Sequence, residues 1–526
     1  MWQLYSEKLF LFIWIIIISS LLIISISNII SSTINHDVAW YIYAANEFVD
    51  GAILYQDVVD VNPPLIIFIS IPPVIIADIL GLSEITIFKW YIIIIALSIS
   101  ILSYILTIKY NYNNYKWLIR SIFVIIIYLV FVYPLRDFGQ REHLMVLFIL
   151  PYIASIVMSL ENIKYNKYVE IIIGLCAGIG FSVKPYFILV WIIIEVYLII
   201  ENKNINSIFR YVNGGIVTVF ILYAISGIYW FENYINLALL AKESYSAYNS
   251  NMTDILQHHI IKYWAVGLIL FIVMHIIKSN NKVINIIFIA STCSLFIAII
   301  QQKGWSYHYY PAIFFITIYF LIVMPLTLFK YTNMLLFSIN IKRMILILSF
   351  LVIAYLLLPN IITSINYRYN NIYINNFTRY VDENASEEYI YIFSSSVYPS
   401  FPLINYSNAK WSSRFNCLWL IPGAYNNKNK NSRNYSYKSI FDMDQPERYM
   451  FDSIIHDIKD KQPHLLLFDN SKYKQGFGNT SFDYKDYFLS DARFRDIFDD
   501  YGFIGEKWGY LIYKIHKQNE IVENNE

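Results

Sequence analysis

The sequence predicts an α-helical polytopic membrane protein of about 11 transmembrane helices, followed by a small C-terminal extracytoplasmic α/β domain. Three observations lead there. The 526 residues are 57% hydrophobic and only 15% charged, with a mean hydropathy of +0.47, a composition of multi-span membrane chains rather than soluble ones. Apolar runs of near-spanning length recur from residue 9 to residue 362. Beyond residue 363 the chain turns to Asn, Ser, Asp and Lys, and carries short strand-like runs, EYIYIF and PHLLLFD. The expected domains are 1–362 and 363–526.

The first run, LFLFIWIIIISSLLIISISNII, exceeds the roughly 7–15 apolar residues of a cleavable signal and lacks a small-residue cleavage site. It is expected to stay as the first transmembrane helix. Further segments fall near 86–108, 117–135, 144–160, 168–183, 186–200, 212–229, 259–277, 284–301, 311–329 and 344–362. The segment 63–81 is apolar too, but two Pro-Pro pairs remove backbone donors and Asp78 stands near its end.

Loop charge decides how 63–81 is read. If it stays on the outer interface, the turns on the N-terminal side hold Lys109 and Lys116, Lys164 and Lys167, Lys203 and Arg210, Lys278 and Lys282, and Lys330, Lys342 and Arg343. Every cytoplasmic turn is then basic, as the positive-inside rule asks. Letting 63–81 cross would put all of them outside.

That parity places 31–62, RDFGQREH (136–143), Lys184-Pro185, 230–258, QQKGWSYHYY (301–310) and the C-terminal tail on the outer face. Net charge is +1, which points to no nucleic-acid partner. Three cysteines, Cys176, Cys293 and Cys417, share no metal-like spacing. His36, His143, His258, His259 and His308 match no metal signature either. No cofactor is expected, and nothing in the spacing supports a divalent metal.

Acidic and basic groups at one membrane edge suit chemistry on a charged lipid head group. A carboxylate can serve as general base, and Arg or Lys can balance a departing phosphate. Asp37 lies just past the first helix in HDVAWYIYAANEFVDGAILYQDVVDVNPPL (36–65), and RDFGQREH just past the third.

In that order (helix, early HD, a G…Y.D….PPL loop, and a second acid after the third helix) the chain resembles the GT-C membrane glycosyltransferases. The bacterial members of protein O-mannosyltransferase and aminoarabinose-transferase type are the nearest in pattern. The resemblance covers roughly residues 1–330 in topology, and local sequence only at 36–65 and 136–143. It implies transfer of a sugar from a polyprenyl-phosphate donor to an envelope glycan, lipid or protein acceptor, in a bacterial inner membrane with the C-terminal domain periplasmic. It makes Asp37 the catalytic base and Glu142 the second acid, with Asp137 as competitor. Arg136, Arg141, His143, Lys184, Lys303 and His308 are the candidates to bind substrate or the leaving phosphate. The family's KPPL reads NPPL here, so Lys184 or Lys303 is asked to replace the missing lysine.

A structural alternative stands beside each residue. Asp37 could be a solvated helix-end acid, and Glu142 could pair with Arg136 or Arg141. Asp57 and Asp60 read as turn and cap residues around Asn62-Pro63. Lys184-Pro185 could mark a helix break with a snorkelling lysine, and KGWSYHYYP an interfacial aromatic belt. The rival function is a non-catalytic scaffold or a lipid or glycan transporter. Transporters place ionisable groups at mid-membrane depth and show repeated halves, and neither is apparent here.

Overall fold

The computed structural model describes residues 2–108, 116–160, 163–230, 232–276, 281–334, 372–426 and 437–516. The expected span 344–362 and the basic positions Lys109, Lys278, Lys342 and Arg343 lie outside these residues. The chain is mostly helical, and it divides into two compact units, each discontinuous in sequence. One takes 1–33, 86–227 and 250–370; the other takes 34–85, 228–249 and 371–526.

Among the described residues, eight helices are long and apolar enough to cross a membrane. They are Phe10–Ser31, Glu84–Ile108, Arg141–Leu160, Pro185–Asn202, Tyr211–Ile228, His259–Ile276, Lys282–Ile300 and Ser306–Val323. Leu65–Leu80 and Leu118–Val132 are shorter apolar helices. Leu65–Leu80 keeps Pro72 and Pro73 inside it and stops at Gly81, whose φ of 61° is the left-handed conformation that glycine adopts without strain.

In the first unit, the helices Arg141–Leu160 and Lys167–Val183 pack against each other. A Cβ on Gly180 would come within 3.0 Å of Phe148, Ile149 and Met145. The short connection makes the pair antiparallel, so the start of one helix and the end of the other lie at the same end. Lys167–Val183 meets Tyr211–Trp230 more closely still. A Cβ on Gly174 would stand 2.1 Å from the Val212 carbonyl oxygen, so only glycine allows this approach of backbones.

In the second unit, five strands form one sheet in the order β2-β1-β3-β5-β4. They are β1 (Tyr389–Phe393), β2 (Lys410–Trp411), β3 (Leu465–Asp469), β4 (Tyr501–Lys507) and β5 (Tyr510–Ile515). β2, β1 and β3 are parallel; β5 runs antiparallel to β3 and β4. The β4–β5 turn is made by Trp508 and Gly509 at φ 52° and 80°, the pair of positive values that a tight hairpin with the native strand twist requires. Phe393 and Phe468 stack at 4.1 Å across neighbouring strands, and Phe488 and Phe494 close over Phe393. The EYIYIF and PHLLLFD runs are thus central strands of an α/β domain.

The same unit includes the segment read from sequence as an outer polar loop. Residues His36–Val49 form a helix, started by Asn35, whose side chain accepts from the Asp37 N–H. Trp40 and Tyr43 pack on Phe401 at 4.9 and 5.2 Å. Asn405 donates to the Ala39 carbonyl at 3.0 Å, and Val59 donates to the Arg414 carbonyl at 2.8 Å. Segment 34–62 is part of the sheet domain's own core.

Candidate functional site

The first unit gathers a buried ionic cluster. Glu142 opens the helix Arg141–Leu160, and Lys184 ends Lys167–Val183, where Pro185 prevents the helix from continuing. The antiparallel pairing of these helices brings the two side chains into an ion pair, at 0% and 2% exposure. Lys184 is therefore not a snorkelling lysine, although the helix does break at it. Glu142 pairs with Lys184. His308, from the loop before the helix Tyr310–Met334, adds its Nε2 at 3.5 Å from the same carboxylate oxygen. The charges of Lys184, Arg141 and Lys303 all bear on the His308 ring, so five of the candidate residues share one neighbourhood.

Burying a carboxylate and an ammonium costs several kcal/mol each, and their mutual attraction offsets this only with good geometry. Two polar atoms of the cluster, Glu142 Oε2 and His308 Nδ1, are buried without a hydrogen-bond partner in the structure, as is the nearby helix residue Ser182 at Oγ. Tyr307 covers part of the cluster: its ring lies 5.9 Å from Lys184 Nζ and 4.7 Å from the His308 ring, with Trp305 at 5.3 Å from His308. Gly304 is at φ 66°, and a Cβ there would meet Ser250 Oγ at 2.6 Å.

His143, next in sequence to Glu142, has a different job. Residues Tyr128–Val132 make a single π-helical turn, which leaves carbonyls out of the regular ladder. His143 Nε2 bonds the Val130 carbonyl at 2.9 Å, and Tyr310 OH donates to the Leu129 carbonyl at 3.0 Å. The other His143 nitrogen accepts from the Gly139 N–H at 3.2 Å. Both ring nitrogens are occupied by backbone, so none remains for a phosphate. Arg136 and Asp137 lie in a short 3-10 turn, exposed and half-buried respectively.

Asp37 belongs to the second unit, in the first turn of His36–Val49, where backbone N–H groups favour negative charge. His36 Nε2 stands 3.6 Å from its carboxylate. Two neighbours were not foreseen. Asp60, 1% exposed, accepts from Trp40 Nε1 at 2.9 Å and from the backbone and side-chain N–H groups of Asn62. It keeps the turn role expected of it and also anchors a buried indole. Cys417 is buried near both acids. Burial first, then the charges of Asp37 and Asp60, push its thiol well above the usual range, so it is held neutral and is a poor nucleophile. Asp57 accepts from the Ile53 N–H at 2.8 Å, an exposed turn contact.

A second buried acid in the first unit also went unforeseen. Glu195 takes hydrogen bonds from Tyr152, Asn213 and Arg210. Both of its carboxylate oxygens are hydrogen-bonded within the protein, which marks a structural lock rather than a reactive group. Among the described residues, no three His, Cys, Asp or Glu side chains are gathered as metal ligands would be. No protein-family model matches the chain, and comparison with curated proteins finds no similar one.

Proposed function

We propose that the protein is a membrane glycosyltransferase that moves a sugar from a polyprenyl-phosphate donor to an extracytoplasmic acceptor, in a bacterial inner membrane with its C-terminal domain in the periplasm. The observation that carries the reading is the buried Glu142–Lys184–His308 cluster, with Arg141 and Lys303 beside it, at one end of apolar helices. Ionisable groups so placed are costly and are retained for function.

In the proposed reaction an acceptor hydroxyl gives up its proton to a carboxylate base, the role that the family resemblance assigns to Asp37, as its oxygen bonds the anomeric carbon. The bond from that carbon to the phosphate oxygen breaks on the opposite face, giving inversion, and the electron pair leaves with the lipid phosphate. Lys184, Lys303 and Arg141 balance the growing negative charge. Glu142 acts through its partners, holding Lys184 and His308 in place. An apolar cavity of about 310 Å³, lined by Ser103, Leu118, Phe123, Leu150, Met158 and Ile322 among others, supports a lipid-linked donor. Its residues on the helix that carries Glu142 are 8 to 16 positions further on, roughly 12–24 Å along the axis.

The test is to incubate the purified protein in nanodiscs with a panel of radiolabelled polyprenyl-phosphate sugars and a cell-envelope extract. Release of sugar from at least one donor is expected, with loss of release in Glu142→Gln. A protein that consumes no donor is a scaffold or transporter.

A further inference from the structure

In the sheet domain the chain leaves β1 for β2 on one side, then returns to β3 on the other. The connections from β1 and β3 therefore run to opposite sides of the sheet, to β2 and to β4, after Ser395 Oγ has donated to the Gln475 carbonyl at 2.6 Å across their starts. In open α/β sheets this divergence leaves a crevice, and ligands bind there.

The residues at this place are specific. β3 ends in Asp469, half-buried, and β1 runs on into Ser394. Ser394 Oγ donates to Asp469 Oδ2 at 3.3 Å, and the Ser471 N–H donates to Oδ1 at 2.9 Å. A carboxylate offers about four acceptor positions, so these bonds orient Asp469 without exhausting it. Beside it the rings of Tyr373 and Tyr398 stack at 5.9 Å with 25° between their planes, and Tyr398 is 40% exposed. The charge of Asp469 reaches both Tyr373 and Tyr510, and burial with that charge raises the Tyr373 hydroxyl to about 12. The phenols are neutral and can donate.

We infer that the crevice at the carboxyl ends of β1 and β3 is a saccharide-binding site, with Tyr398 and Tyr373 against a sugar's C–H face and Asp469 accepting from its hydroxyls. An aromatic face carries partial negative charge and attracts the polarised C–H groups of a pyranose. An ionised acceptor makes stronger hydrogen bonds to hydroxyls than a neutral one. A cationic ligand suits the crevice less, because the Lys474 ammonium already acts on Asp469. This inference does not rest on the transferase reading, since an inactive protein could hold a glycan in the same way.

The experiment uses the full chain in nanodiscs, titrated by calorimetry with mannotetraose, chitotetraose, maltotetraose and, separately, tetramethylammonium. At least one tetrasaccharide binds. Tyr398→Ala and Asp469→Asn each weaken it tenfold or more, and Tyr398→Phe, which keeps the ring, restores it. Phe441→Ala, at an 86% exposed aromatic elsewhere in the domain, leaves affinity unchanged. Because Tyr398 is partly exposed, its variants are expected to keep the wild-type melting temperature. Binding of no tetrasaccharide, equal affinity in Tyr398→Ala and wild type, or binding of tetramethylammonium alone overturns the inference.

Discussion

Glu142 and Lys184, 42 residues apart, form an ion pair with side chains 0% and 3% exposed. The pair exists because the helices Arg141–Leu160 and Lys167–Val183 turn back on each other. Deleting one partner strands the other in a low-dielectric setting, so Lys184→Met is expected to destabilise the protein by about 3–5 kcal/mol. Glu142→Gln combined with Lys184→Met should cost less than the sum of the single changes. Thermal unfolding of all three variants in detergent measures the coupling; strict additivity would mean that the residues do not interact.

Asp37→Asn keeps the shape and the helix-end position but cannot take a proton. Turnover of the lipid-linked donor is expected to fall by roughly 10²–10⁴, with donor affinity little changed, as read by steady-state rates beside equilibrium donor binding. Wild-type turnover in this variant removes Asp37 from the mechanism.

Cys417 has a pKa well above the ordinary thiol range, from burial and then from the nearby Asp37 and Asp60 charges. Its folded value exceeds its unfolded one, so the stability it contributes is whole below the unfolded thiol pKa and is lost as pH rises past it. In the folded protein Cys417 is expected to stay unalkylated by iodoacetamide at pH 8, and to react fully once denatured. Mass-spectrometric mapping of the modified peptide reads this directly. Asp60→Asn removes a negative neighbour and should hasten labelling as the pH is raised; labelling at the wild-type rate throughout would deny the carboxylate its influence.

The proposed sidedness rests on the basic turns. In a variant with the native cysteines replaced by Ser, Cys placed at Lys203 or Lys282 is expected to resist a membrane-impermeant maleimide added to spheroplasts. Cys placed at Phe441 should react. Reaction at Lys203 from outside reverses the proposed orientation and removes the periplasmic active face with it.

The long apolar helices were legible because some twenty consecutive apolar residues admit few other structures. The strands β1 and β3 were legible as compact apolar runs between polar flanks. Glu142 and Lys184 each stood out as ionisable groups beside apolar stretches, but their pairing depends on Gly180 lying against Met145 and Phe148, a packing fact with no local sign. The helix His36–Val49 was hidden for a related reason. Its aromatic residues meet Phe401, more than 350 positions later, so its acids suggested a loop. The burial of Asp60 likewise depends on an indole 20 residues earlier. Residues 501–515 gave no expectation of a hairpin, because β4 alternates weakly and leaves Phe503 and Ile504 exposed.

The discontinuity of the sheet-bearing unit has a consequence for biosynthesis. Segment 34–62 supplies the helix His36–Val49 and the Val59 contact to Arg414 and Phe415, yet it leaves the ribosome more than 300 residues before the partners it packs on. During that interval Trp40 and Tyr43 lack the Phe401 ring that they pack on and are candidates for chaperone capture. A C-terminal fragment expressed alone would face the converse deficit, with Phe401 and Asn405 uncovered. Supplying residues 34–62 in trans as a peptide is therefore expected to raise the fragment's soluble yield.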